Sequence, residues 1–218
     1  HPRRWRTTGP LRDAGRMRVL AIDPGTVKMG YGVLDANPEP AVEDYGVIAL
    51  PASMPLEKRL HQLFTHMLNL ISIFQPQAIA VEEPFVGQGQ RRFVGPAIAI
   101  GQAQAVVLIA AASQAVPLFR YTPAQVKLSV ADYGAASKSQ MQQIVAATLG
   151  LTELPAPDAA DALSVGLCHL IQIQVVGVLA REIPPGQPLF GPPLRRGGKA
   201  EGSAFMDRAE PRSIGGVS

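Results

Sequence analysis

Cysteine is nearly missing from this chain: Cys168 is the single one in 218 residues. That excludes an internal disulfide and a zinc site built from cysteines. Aromatic residues are also scarce, 6% against 47% hydrophobic in all, so any core must be aliphatic and rich in alanine. No apolar run reaches the roughly 18 residues of a membrane span without interruption. Residues 96–115 come nearest, and Gln102, Gln104, Ser113 and Gln114 break them. The N-terminus opens at His1 and shows no apolar signal-peptide region. A cytoplasmic protein without a membrane partner is the expectation, and the length suffices for one sizeable core.

The formal charge of +3 invites a nucleic-acid reading, but the excess lies at the ends. Residues 1–16 hold five arginines against Asp13 alone, and residues 183–218 hold five basic side chains against three acidic ones. The middle therefore keeps 10 basic and 13 acidic groups, a net of −3. Total charge says little about what the middle binds. Met17 reads as a natural start, with residues 1–16 as a basic, disordered extension. Beyond residue 182 the run "IPPGQPLFGPPLRRGGKAEGS" has too little apolar surface to offset its ordering entropy, and disorder is expected over 183–218. The folded domain is expected over 17–182, with no internal repeat.

Within it, "RVLAI" and "YGVLDA" read as strands separated by a turn over 23–29, and "DYGVIAL" as a third, an antiparallel meander. In "LEKRLHQLFTHMLNLISIF" apolar residues recur at helical spacing until Pro76. "AIAVEE" reads as a central fourth strand, 96–115 as a helix buried on several sides, and "VPLFRY" as a fifth strand. Short helices follow over 123–130 and from the N-cap Ser137 to Leu149, and a last one from Asp158 to about Gln174. The fold class is α/β: a mixed sheet with helices on both faces.

Four carboxylates take privileged places. Asp23 ends the first strand in "RVLAIDPGT", just before a Pro-Gly turn, and Glu82 ends the fourth. Asp158 and Asp161 open the last helix three residues apart, on neighbouring positions of one face. Singly, each has a plain structural reading: a turn former, a solvated strand end, a helix cap, an acid favoured by the helix dipole. Strands one and four are natural parallel neighbours, which brings Asp23 and Glu82 together at the edge where ligands bind. Converging acids repel unless something positive lies between them, and hard divalent cations such as Mg²⁺ or Mn²⁺ suit oxygen donors. Two such ions roughly 3.5–4 Å apart can clamp the attacking and leaving oxygens at phosphorus.

The segments "LAIDPGTVKMGYGV", "AIAVEEPF" and "DAADALSVGLCH", in this order, closely resemble the RuvC family of bacterial Holliday-junction resolvases over about 18–172. The resemblance implies a ribonuclease H-like fold with a five-stranded mixed sheet. It also implies a homodimer that cuts opposed strands of a four-way DNA junction, with two Mg²⁺ ions per site and Mn²⁺ able to substitute. Asp23, Glu82, Asp158 and Asp161 match the family's metal ligands. Phe85 falls where the family stacks an aromatic on bases near the crossover, and Lys127 and Lys138 match basic residues near the scissile backbone. Here Glu83-Pro84 stands between the metal-binding glutamate and that aromatic, a local variation. In the glycine-rich loop "GQGQRRF", Arg91 and Arg92 can meet phosphates, the alternative being a plain surface loop. Cys168 and His169 read as structural.

The reaction so implied is phosphodiester hydrolysis leaving a 5′ phosphate and a ligatable 3′ hydroxyl, in DNA recombination and repair. A partnership with the RuvA–RuvB branch-migration machinery follows from the resemblance alone. Residues 96–115 are a candidate dimer element. "IDPGT" by itself also permits an actin-like or sugar-kinase ATPase, but those need two such lobes. A YqgF-like single-domain nuclease acting on RNA and a non-cleaving junction-binding module are the remaining alternatives.

Overall fold

The computed structural model describes residues 17–36, 39–83, 94–131 and 136–182. It opens with three consecutive strands, β1 (Met17–Asp23), β2 (Lys28–Ala36) and β3 (Pro40–Ala49), paired antiparallel as a meander. Helix α1 (Leu56–Phe74) ends where Gln75 turns left-handed, one residue before Pro76. Then come β4 (Ala78–Glu82), α2 (Val94–Ser113), β5 (Leu118–Tyr121), α3 (Pro123–Ala131), α4 (Lys138–Thr148) and α5 (Pro157–Glu182). The leader 1–16 and the tail 183–218 lie outside the described residues, as do Phe85, Arg91 and Arg92. The chain divides into a unit His1–Val178, which holds the sheet, and a second, Leu179–Ser218.

The sheet order is β3-β2-β1-β4-β5, five strands and mixed, because β4 pairs parallel with both β1 and β5. Three boundaries differ from the sequence reading. β2 begins at Lys28, inside the expected turn, because its backbone pairs with Ala49 across the meander. β3 begins at Pro40 rather than Asp44: it is an edge strand, and a proline is tolerated at the first residue of such a strand. α5 runs to Glu182 rather than Gln174, since no proline interrupts it before Pro184.

Alternation along the central strands sorts two cores. Leu20, Ile22, Ile79 and Val81 pack on one face with Leu63, Met67 and Ile71 of α1 and Val106, Val107 and Ala110 of α2. Val19, Ala21 and Ala80 pack on the other with Val126, Met141, Val145 and the α5 residues Leu163, Leu167 and Leu170. Helices cover both faces, as the pattern implied. The same period of two carries Asp23 past Ala21, and Glu82 past Ala80, onto the α5 face.

Candidate active site

Asp23 is the last residue of β1 and Glu82 the last of β4, and the parallel register Ile22↔Val81 sets the two acids side by side. On the face they share, α5 starts at Pro157, whose fixed backbone suits a first helical position. Asp158 thus lies in the first turn, and Asp161 follows on the same side. All four acids are half-buried.

Their charges are felt strongly. Burial, then the charges of Glu82, Asp161 and Asp158, push the Asp23 carboxyl up to about 8, with Lys138 opposing. Burial and Asp161 push Glu82 up to about 7, against the pull of Lys138 and Lys127. Oxygen donors among which Asp23 and Glu82 resist ionisation are chemically matched to a hard divalent cation. No three side chains of the kind that hold metals close on a common point among the described residues. The four acids are near enough for Asp23 to feel the charges of the other three.

Two lysines answer that charge. Lys138, the first residue of α4, reaches Asp161 Oδ2 with its Nζ at 3.2 Å. Asp161 raises the Lys138 ammonium, first through its charge and then through the hydrogen bond. The helix start is fixed by Ser137, whose hydroxyl accepts from the Gln140 N–H while the Gln140 side chain accepts from the Ser137 N–H. Lys127, on α3, acts on Glu82 through its charge. Arg120 is engaged otherwise, 3.5 Å from Glu83, so both groups of that exposed pair are partly satisfied by each other.

The sequence reading missed the residues that seat α5. Gly30 pairs with Asp23 across β1 and β2, and a methyl group there would overlap the main-chain carbonyl of Asp158. Gly32, one step along the same face, lies against the Leu163 side chain. The signal was present as "GYGV", glycines spaced by two, but spacing does not tell which helix approaches. Cys168 and His169 lie buried on α5. His169 is fully buried, its Nδ1 2.7 Å from the Tyr121 hydroxyl and its ring 4.7 Å from that of Phe119. Burial lowers the His169 pKa and raises that of the Cys168 thiol.

Residues 19–169 match the family described as Crossover junction endodeoxyribonuclease RuvC. Among curated relatives of that name, one from Dehalococcoides mccartyi is 41% identical over 167 residues, 76% of this chain and 98% of its own length. One from Chloroflexus aggregans is 44% identical over 155 residues, 70% of this chain and 92% of its own. Among solved structures, Thermus thermophilus RuvC in complex with Holliday junction substrate superposes with a TM-score of 0.66 at 32% identity, covering 73% of this chain and 96% of that one. The yeast mitochondrial Holliday junction resolvase Ydc2 shares the fold, with a TM-score of 0.53 at 15% identity. The acids at the ends of β1 and β4 and on α5 thus sit in a sheet and helix frame common to these proteins, and the chain belongs to the RuvC family of crossover junction endodeoxyribonucleases.

Proposed function

We propose that this chain resolves four-way DNA junctions by two symmetric, metal-dependent cuts in opposed strands. The observation that carries the reading is the convergence of Asp23, Glu82, Asp158 and Asp161 with Asp23 raised to about 8, an arrangement that gains stability from a cation. Asp23, Glu82, Asp158 and Asp161 would hold divalent ions, which when bound would supply a water nucleophile of lowered pKa and stabilise the charge on the phosphate and the leaving 3′ oxygen. Mg²⁺, two ions per site, is the assignment, with Mn²⁺ as a substitute. The acids would hold the ions as anions, so none need act as a general base. Lys138, at an α4 N-terminus, and Lys127 are assigned to the scissile strand's phosphates. Phe85, Arg91 and Arg92, in the segment between β4 and α2, are assigned to the DNA at the crossover. The products would be a 5′ phosphate and a 3′ hydroxyl, as the chemistry of a ligatable nick requires.

Paired cuts call for two active sites related by a two-fold axis, and hence a homodimer. α2 supports this: it is apolar on nearly all sides, and Ile98 and Ile109, 56% and 60% exposed, lie three turns apart on the face turned from the sheet. Ala105 and Ala112 are exposed between and beyond them. Ile109→Lys is expected to weaken self-association by about tenfold or more, placing a charge in an apolar contact. Sedimentation across a concentration series reads this; an unchanged dimer would remove α2 from the interface. A partnership with RuvA–RuvB extends the same assignment.

The test of function uses an immobile synthetic four-way junction and a linear duplex, each with the protein and Mg²⁺ or Mn²⁺. Paired, ligatable nicks in the junction alone are expected. Junction binding without any cutting would replace the nuclease by a non-cleaving junction-binding module.

A further inference from the structure

α2 buries a polar residue where an aliphatic one would be expected: Gln104, flanked by Ala103 and Ala105, is 9% exposed. A buried amide requires a partner, and its Nε2 donates to the main-chain carbonyl of Glu82 at 3.3 Å. The strand ladder explains why that carbonyl is available. Along β4 the Ile79 N–H donates to the Pro117 carbonyl and the Glu83 N–H to the Tyr121 carbonyl, both at 2.8 Å. Odd-numbered residues of β4 therefore bond toward β5, and the backbone of Glu82 turns toward β1. Continuing the register Ile22↔Val81 by one step sets Asp23 beside Glu82. In a parallel ladder the Glu82 carbonyl would take its next donor from the residue after Asp23, which is Pro24. Proline has no N–H. The row of β1 donors thus ends one residue short, at the point where two of the four acids stand.

We propose that Gln104 supplies the missing donor and so serves as a positioning residue for Glu82, holding the end of β4 where Pro24 leaves it unbonded. Through this bond the carboxylate of Glu82 keeps its place beside Asp23 while the Pro24-Gly25 turn is free to bend away. Gln104 touches neither substrate nor reacting atoms; it acts through the backbone of a proposed metal ligand, and the inference rests on the metal-site reading above.

Gln104→Met keeps the side-chain length and removes the donor. It is expected to weaken Mn²⁺ binding, followed by calorimetry, by about tenfold and to lower kcat by about tenfold, with KM for the junction unchanged. A merely structural glutamine would lower Tm without moving the Mn²⁺ affinity, and that result overturns the proposal. Pro24→Ala in the Gln104→Met background returns a backbone N–H to the ladder and is expected to recover most of the lost Mn²⁺ affinity. A second measurement needs neither metal nor variant: the side-chain amide protons of Gln104 should exchange with solvent far more slowly than those of exposed Gln125. Equal exchange also overturns the proposal. If the wild-type protein binds no Mn²⁺, the metal-site reading fails instead, and exchange at Gln104 as fast as at Gln125 would still overturn its bond to the Glu82 carbonyl.

Discussion

Asp23→Asn should abolish junction cleavage, by about 10³-fold or more, while junction binding persists and the metal-free protein becomes more stable at pH 8. The two effects share one cause. In the folded chain Asp23 is raised to about 8 by burial and by Glu82, Asp161 and Asp158, against an ordinary value of 3.8. Between those two pH values the native state holds a proton that the unfolded state has lost. Wherever the native state binds more protons, stability falls as pH rises. The metal-free wild type therefore loses stability from about pH 4 to about pH 8, with Glu82, raised to about 7, adding to the loss over the lower part of that window.

The asparagine removes one member of the repelling set. Its Tm at pH 8 should exceed that of the wild type by about 3 °C or more, what roughly 1 kcal/mol gives in a chain of this length. Saturating Mn²⁺ should reverse the order, because ions stabilise the ionised wild-type site and the variant has lost a carboxylate charge. Calorimetric scans of both proteins at pH 5 and pH 8, with and without Mn²⁺, measure all of this. A wild type whose Tm is indifferent to both pH and Mn²⁺ would falsify the assignment of these acids to metal.

Gly30→Ala is expected to lower cleavage by about 100-fold in a protein that still folds. The added methyl meets the main-chain carbonyl of Asp158, and a helix backbone cannot step aside as a side chain can. α5 must therefore shift at its N-terminal turn, the turn that presents Asp158, with Asp161 next on the same side. Displacements near 1 Å at a catalytic constellation cost about 100-fold. The overpacking itself should cost about 1–3 kcal/mol. Gly32→Ala is the control, for its methyl would press on the Leu163 side chain at Cδ2 and less closely at Cγ, a side chain that can change rotamer, and would reach the helix backbone only at ordinary contact distance. Steady-state cleavage rates alongside Tm separate the cases: Gly30→Ala should lose far more activity than Gly32→Ala for a comparable loss of stability. Equal activities in the two variants would show that the seating of α5 does not set the site.

Much of the molecule was legible in one dimension. Periodicity alone marked α1, whose Leu63, Met67, Ile71 and Phe74 recur on one buried face, and the stop at Pro76 was visible in the chain. The meander followed from three short apolar runs. That Asp23 and Glu82 meet could be argued beforehand, because both end apolar strands and a mixed sheet favours the two as parallel neighbours. The metal chemistry followed from residue type, since clustered carboxylates call for hard cations wherever they converge.

Other features were decided only in three dimensions. β3 starts at Pro40 because its partner in β2 continues to Ala36, and nothing in the polar local sequence announces that pairing. The glycines of "GYGV" could have served a turn, a bulge or a close approach; only the arrival of α5 from more than 120 residues later assigns Gly30 to the last. Gln104 read as an interruption in an apolar helix, and its bond to the Glu82 carbonyl appears only once β4 is set beside β1. The raised carboxyls likewise depend on burial and on charges brought from β1, β4, α4 and α5. Sequence determines which side chains are apolar, charged or conformationally special, since those are properties of single residues and near neighbours. Close approach, missing ladder donors and shared electrostatic fields are properties of pairs far apart in the chain, and the tertiary fold alone decides them.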